Sequence, residues 1–173
     1  MWIKIHYLDA SAAVKLLETE EGSEALIEYM KDPDNFANLF MTSFCVAETL
    51  GVLKRKFYWK WMKQDDEKAQ EKYLAACDLF IAMLRNKEIE VHNIPIEDLE
   101  IYSEVERLAK LYRLDMVDAF QLVTLTHGLV APLRGSQSEC ILVVADEPLA
   151  KAARKEGLHV WDCLREPPLE NIT

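Results

Sequence analysis

The chain has 173 residues, of which 50% are hydrophobic and 29% are charged, and its formal net charge at pH 7 is -10. This length and hydrophobic content predict one folded domain and exclude disorder over most of the chain. The negative charge argues against a passive nucleic-acid coat, which needs Lys and Arg to neutralise phosphates. It is compatible with an enzyme whose acids hold divalent cations.

The cysteines, the histidines and the apolar runs exclude further classes of protein. The four cysteines and four histidines are scattered and form no CxxC or HExxH pattern, which argues against a zinc hydrolase and against a disulfide framework. No apolar run reaches the roughly 18 residues of a membrane span, and the N-terminus has no signal-peptide pattern. We therefore expect a soluble, cytoplasmic protein with reduced thiols and no membrane association.

The first strand and the first helix are predicted within residues 2–17, which read WIKIHYLDASAAVKLL. Residues 3–8 are rich in β-branched and aromatic side chains, as in a buried strand, and residues 10–17 follow a helical pattern. Asp9 ends the strand, and ligands of parallel α/β sheets lie beyond the carboxyl ends of the strands. Ser11 fits the N-cap of the helix. The sequence alone leaves open whether Asp9 binds a ligand or only caps this helix.

The middle of the chain is predicted to contain three helices and two strands. Glu48 lies a little over one turn inside the second of these helices, among apolar residues, where it is either a ligand or an ordinary helix-surface acid. The third helix is long, and the side of it that we expect to be buried contains Tyr73, Leu74, Cys77, Leu79, Phe80, Ile81 and Leu84. The expected elements are a helix at 23–31, a turn at 32–35, a strand at 39–42, a helix capped by Ser43 that runs to about 56, a helix at 65–86 and a strand at 88–94.

The last third of the chain contains the clearest strand and two further acids near helix starts. The strand is apolar on both faces, as a central parallel strand should be, and Asp146 follows it at once. Asp118 lies near the start of the helix before that strand, and Asp115 fits the N-cap of the same helix. The expected elements are helices at 95–112, 115–128 and 147–156 and strands at 140–145 and 159–161.

One basic segment, Lys54–Lys63, interleaves its cations with aromatic residues. Bases could stack on such rings while Lys and Arg contact phosphates. Alternatively, the rings pack against a neighbouring helix or a second subunit, and we favour this second interpretation because tryptophans are more often packing residues.

Four acids are expected at one edge of the predicted sheet. Asp9 and Asp146 each follow a strand, and Glu48 and Asp118 lie early in helices that would flank the same edge. Converging carboxylates repel one another and raise one another's pKa values unless a cation neutralises them. Mg²⁺ and Mn²⁺ prefer oxygen ligands, and such sites activate water for attack on a phosphoryl group.

Four segments, in order and spacing, resemble the PIN-domain family, and its VapC-type toxin ribonucleases look closest. They are LDASAAVKLL with Asp9, CVAETLGVLKR with Glu48, RLDMVDAFQLVTL with Asp118 and VVADEPLAKAARKEGLHVWD with Asp146. The resemblance implies a Rossmann-like, three-layer α/β/α fold with a central parallel sheet of four or five strands. It also implies a single PIN-like domain over residues 1–173 and a metal-dependent endoribonuclease whose four acids bind Mg²⁺ or Mn²⁺, with Ser11 and Asp115 in support.

The resemblance further implies an RNA substrate, a homodimer and a small antitoxin partner. Two features depart from the family pattern. Val144 stands where members often have Thr or Ser, and residues 58–90 look like a helical extension. A PIN scaffold without turnover that binds RNA or a protein partner therefore remains the alternative. A phosphatase with Asp9 as nucleophile is disfavoured, because that chemistry expects an aspartate where Ser11 stands.

Overall fold

A computed structural model describes residues 3–36, 38–93, 96–128, 131 and 138–169. Five strands form one sheet, and all of its pairings are parallel. The strands are β1 (Ile3–Leu8), β2 (Leu39–Met41), β3 (Ile89–Val91), β4 (Ser138–Val144) and β5 (His159–Asp162), in the spatial order β3-β2-β1-β4-β5. The predicted parallel sheet is confirmed, and β1 and β4 are adjacent at its centre, as expected.

Helices cover both faces of the sheet. They are α1 (Ala10–Leu17), α2 (Ser23–Met30), α3 (Pro33–Phe36), α4 (Ser43–Leu53), α5 (Trp59–Gln64), α6 (Glu67–Arg85), α7 (Leu99–Tyr112), α8 (Met116–His127) and α9 (Glu147–Lys155), and a π-helical segment, Lys54–Tyr58, joins α4 to α5.

The two faces of β4 belong to two different cores, because successive strand residues point in opposite directions. Ile141 and Val143 pack in the core that contains residues of α1, α2 and α6. Leu142 and Val144 pack in the core that contains residues of α7, α8 and α9. The predicted three-layer α/β/α architecture is therefore confirmed, and it explains why this strand is apolar throughout.

The prediction for the long helix was wrong in one respect. Leu74, Leu79 and Ile81 are each more than 40% exposed, although they were expected on the buried side of α6. The buried side chains of α6 include Ala76 and Phe80, which define a narrow stripe on the helix. The three exposed residues lie off this stripe and give α6 an apolar outer surface.

Several element ends also differ from the sequence prediction. Part of the expected turn at 32–35 belongs to the short helix α3. Thr42, rather than Ser43, caps α4, because its side chain accepts a hydrogen bond from the Cys45 N–H. Helix α7 begins at Leu99 rather than near 95. The end of the expected strand at 88–94 falls on Ile94, which lies outside the described residues.

The segment between α4 and β3 is helical. The π-helical segment and α5 pack against α6 around the buried side chains of Leu53, Phe57 and Ala76. In the described ranges, no helix is long and apolar enough to cross a membrane.

Candidate active site

Asp9 directly follows β1 and is the N-cap of α1. Its Oδ2 accepts a hydrogen bond of 2.9 Å from the Ser11 N–H and another from the Ser11 hydroxyl. The Asp9 N–H donates to the carbonyl of Val143 at 3.0 Å, which fixes the backbone beside β4. The side chain is almost wholly buried, and this burial raises the pKa of the Asp9 carboxyl although the Ser11 hydrogen bonds oppose the shift.

Ser11 is not the N-cap that the sequence predicted, since Asp9 holds that position. The Ser11 hydroxyl lies between two strand ends instead. It donates to Asp9 and accepts a hydrogen bond of 2.8 Å from the N–H of Ala145. Ser11 therefore orients Asp9 relative to the end of β4.

Asp146 is the N-cap of α9, and its Oδ1 accepts a hydrogen bond of 2.8 Å from the Leu149 N–H. Its negative charge contributes, after burial and other causes, to the raised pKa values of Asp9, Glu48 and Asp118. The carboxyl ends of β1 and β4 thus bring their two aspartates within electrostatic reach of each other.

Glu48 and Asp118 approach the same edge from α4 and α8. Partial burial raises the pKa of Glu48, and the charges of Asp9, Asp115 and Asp146 add to this effect. Burial also raises the pKa of Asp118 from its ordinary value of 3.8 to about 8, and the charges of Asp9, Asp115, Asp146 and Glu48 contribute in that order. The structure therefore brings the four predicted acids into one electrostatically coupled cluster, which we call the acid cluster.

Asp115 is the N-cap of α8, as predicted from the sequence. Its Oδ1 accepts hydrogen bonds from the N–H groups of Val117 and Asp118, at 2.8 and 2.9 Å. Asp118 is the third residue of α8, so its carboxylate also lies near the positive end of that helix.

The side chains of the acid cluster are of the chemical type that binds a divalent cation. Within the part of the chain that the structure describes, no three His, Cys, Asp or Glu side chains are already grouped as they would be around a metal ion. Asp9 and Asp146 use carboxylate oxygens to cap helices. All four acids nevertheless offer the hard oxygen ligands that Mg²⁺ and Mn²⁺ prefer, and a cation would remove the repulsion that raises the pKa values of Asp9, Glu48 and Asp118.

The chain matches the family model of the PIN domain over residues 6–155. It belongs to the PIN-domain family. No curated protein matches the chain. PIN domains are generally nucleases that act on RNA, and they typically use divalent metal ions.

Two arginines beside the acid cluster of this PIN domain were not predicted. Arg165 donates a hydrogen bond of 2.9 Å to Oδ2 of the buried Asp162. This hydrogen bond is the main cause of the raised pKa of Arg165, and the charge of Asp146 makes a smaller contribution. Arg55 lies close enough for its charge to oppose the raised pKa of Glu48, whose largest cause is burial. The only sequence signal for Arg165 is its three-residue spacing from Asp162, which is too common to identify a site.

The basic segment Lys54–Lys63 contains both packed and exposed rings. Phe57 is buried, and Tyr58 contacts Tyr73 of α6 with ring centroids 5.5 Å apart. Trp59 is 44% exposed, and the ammonium groups of Lys54 and Lys63 each lie 5.3 Å from its ring centroid. Packing within the chain therefore accounts for part of the segment and leaves Trp59 available to a partner.

Proposed function

We propose that this PIN-domain protein is a metal-dependent endoribonuclease that hydrolyses RNA phosphodiester bonds. The observation that carries the proposal is the electrostatic coupling of four carboxylates at the carboxyl edge of the parallel sheet. Burial and, to a smaller extent, the charges of the neighbouring acids raise the pKa of Asp118 to about 8. Such a cluster of carboxylates destabilises the folded protein, so a role in binding a cation explains its presence best.

In this proposal, Asp9 and Asp146 are the principal ligands of Mg²⁺ or Mn²⁺, and Glu48 and Asp118 complete or orient the ligand set. The bound cation would activate a water molecule and stabilise negative charge on the phosphoryl group. Ser11 holds the Asp9 carboxylate toward the site through its two hydrogen bonds. Asp118 must release its proton before it can act as a ligand, because its raised pKa favours the protonated form.

A second candidate is a PIN scaffold that binds RNA or a protein partner without turnover. One specific observation favours it. Val144 is wholly buried in the apolar core, so no hydroxyl is available at the position where the family often has one.

We also propose the VapC-like arrangement, in which a toxin homodimer is held inactive by a small antitoxin in the cytoplasm. The exposed Leu74 and Ile81 support a protein partner, because they lie seven residues apart on one side of α6. Met62 of α5 adds a further exposed apolar side chain. The cysteines of the described part of the chain are all free thiols, in keeping with a reducing compartment.

Cleavage of a labelled single-stranded RNA tests the proposal. We expect cleavage with Mg²⁺ or Mn²⁺, loss of cleavage with EDTA, and recovery when the metal is returned in excess. RNA binding without cleavage under any metal condition would instead support the scaffold. Sedimentation of the purified protein would test the homodimer, and Leu74→Asp with Ile81→Asp should shift it toward the monomer.

A further inference from the structure

A cavity of about 260 Å³ lies beside the acid cluster, and the proposed ligand set does not use it. Its lining includes Ser11, Lys15, Glu20, Lys56 and Ala145. Ser11 is hydrogen-bonded to Asp9, and Ala145 directly precedes Asp146. The cavity therefore adjoins the two aspartates that follow the central strands.

Two ammonium groups share one carboxylate in the lining of this cavity. Lys15 Nζ lies 2.9 Å from Oε1 of Glu20, and Lys56 Nζ pairs with Oε2 of the same side chain. Burial alone would raise the pKa of Glu20, but the hydrogen bonds and charges of Lys56 and Lys15 together outweigh it and lower this pKa. Two cations and one anion leave a net positive charge on this trio, next to a strongly negative cluster.

The two lysines also keep hydrogen-bonding capacity. An ammonium group has three donors and no acceptor. Lys15 donates to Glu20 and to the carbonyl of Glu21, and Lys56 donates to Glu20. Among the described residues, these are the acceptors of the two lysines, so each ammonium group retains at least one donor for a further acceptor. Lys56 is the accessible member of the pair, because its side chain is 34% exposed whereas that of Lys15 is 6% exposed.

The loop that carries Glu20 is tightly built. The Ser23 hydroxyl accepts a hydrogen bond from the Glu20 N–H at 3.0 Å and donates to the Glu18 carbonyl at 2.9 Å. Gly22 has a left-handed backbone with φ of 85°, and a Cβ there would lie 3.1 Å from the carbonyl oxygen of Cys163. The loop therefore lies directly against the backbone that follows β5. Its internal hydrogen bonds fix the position of Glu20, and Glu20 in turn positions the two ammonium groups.

We propose that this cavity binds a backbone phosphodiester of the RNA strand, one next to the bond that is cut. This inference rests on the proposed nuclease function and adds the place where the substrate is held. A phosphodiester supplies the anionic oxygens that the free ammonium donors require. The cavity is also smaller than the roughly 300–1,000 Å³ of sites for drug-sized ligands, which suits a phosphate with part of its ribose. Lys15 and Lys56 offset the repulsion between RNA and the acid cluster.

The experiment measures binding of single-stranded RNA in EDTA, so that no strand is cut, with one neutral methylphosphonate placed at each linkage in turn. For the wild type, we expect one linkage at which the neutral group weakens binding by about 3- to 10-fold, since one charged contact is lost. For Lys56→Gln, a methylphosphonate at that linkage should not weaken binding any further, because the contact that it removes is already absent. With unmodified RNA, Lys56→Gln should bind more weakly, and its slope of log affinity against log salt should be smaller by about 0.7.

Two control variants sharpen the measurement. Lys56→Arg keeps the charge and should keep the sensitivity at that linkage. Lys31→Gln removes another lysine that is paired with a glutamate, Glu28, but that does not line the cavity. It should respond to every methylphosphonate as the wild type does.

Equal responses of Lys56→Gln and the wild type at every linkage would overturn the phosphate site. If that result came from a protein that cleaves RNA with Mg²⁺, the nuclease proposal would stand and only the cavity assignment would fail. Conversely, Lys56-dependent binding of one linkage without metal-dependent cleavage would retain the phosphate site in the cavity, and it would overturn both the nuclease function and the position of that site next to a bond that is cut.

Discussion

The hydroxyl of Ser11 accepts a hydrogen bond of 2.8 Å from the N–H of Ala145, and this contact joins the start of α1 to the end of β4. The same hydroxyl donates to the Asp9 carboxylate. One small side chain therefore sets the position of Asp9 relative to the backbone that leads into Asp146.

Replacing Ser11 by Ala removes both contacts of the hydroxyl. We expect the free energy of unfolding to fall by about 1–2 kcal/mol, because the Ala145 N–H loses its partner. The cleavage rate should fall by about 10- to 100-fold, as when a residue that orients a metal ligand is removed. Ser43→Ala is the control, because Ser43 is exposed and Thr42 provides the cap of its helix. An unchanged rate for Ser11→Ala would show that Asp9 needs no such support.

Replacing Asp9 by Asn should separate function from stability. Asn caps a helix about as well as Asp, but it is neutral and binds a cation poorly. Cleavage should fall by more than about 100-fold. Thermal stability should stay equal or rise, because burial disfavours the charged carboxyl, as its raised pKa indicates. Asp65→Asn, at an exposed position in a left-handed turn, should change neither property. If Asp9→Asn retained cleavage, Asp9 would only cap α1 and would not be needed to bind the metal.

Val144 stands where the family often has a hydroxyl residue, so its replacement by Thr tests whether that hydroxyl affects cleavage. Val144→Thr places a hydroxyl in the apolar core and should cost about 1–3 kcal/mol of stability. We expect no gain in cleavage rate, because Ser11 already binds both Asp9 and Ala145. Val143→Thr is a matched control, since it makes the same change on the opposite face of β4. A rate that rises several-fold in Val144→Thr alone would contradict this expectation and support a weakened natural site.

The central strands could be predicted because their sequences contain two independent signals, an apolar run and an aspartate at its end. The convergence of Asp9 and Asp146 then follows from parallel pairing. The contact between Ser11 and Ala145 could not be predicted, because it depends on the register that pairs Leu8 with Val143.

Other features depend on tertiary packing that has no local sequence signal. Arg165 lies near Asp146 because β5 pairs with β4 so that Asp162, the partner of Arg165, lies opposite Val144. The buried side of α6 was predicted correctly for Phe80 but incorrectly for Leu74, Leu79 and Ile81, because an apolar residue has the same sequence signature whether it faces the core or the surface.

The acid cluster predicts a dependence of stability on pH in the metal-free protein. Burial raises the pKa of Asp118 from its ordinary value of 3.8 to about 8 in the folded state, so the folded protein binds more protons than the unfolded chain between these two pH values. The stabilisation is fully present below the lower pKa and is lost as the pH rises through the higher one. Asp9 and Glu48 act in the same direction, since their pKa values are also raised.

Urea unfolding in EDTA should therefore give a lower free energy of unfolding at about pH 8.5 than at about pH 5. Asp118→Asn should flatten this dependence, whereas Asp65→Asn should not. Excess Mg²⁺ should stabilise the protein more at the higher pH, because metal binding competes with protons. A wild type whose stability rises over this range would contradict the raised pKa values.

The final prediction separates Asp115 from Asp118, which lie three residues apart at the start of α8. Asp115 is exposed, and its Oδ1 accepts hydrogen bonds from the N–H groups of Val117 and Asp118. Asp118 is partly buried, and burial together with the charges of the neighbouring acids raises its pKa. Serine caps a helix nearly as well as aspartate, so Asp115→Ser should change stability by less than about 0.5 kcal/mol and keep most of the cleavage activity. Asp118→Ser removes a carboxylate from the proposed ligand set and should lower cleavage by more than about 100-fold. The two variants have the same change in composition and net charge, so each serves as the control for the other in a metal-dependent RNase assay. If Asp115→Ser lost cleavage and Asp118→Ser kept it, Asp115 would be the metal ligand and Asp118 would have only a structural role at the start of α8.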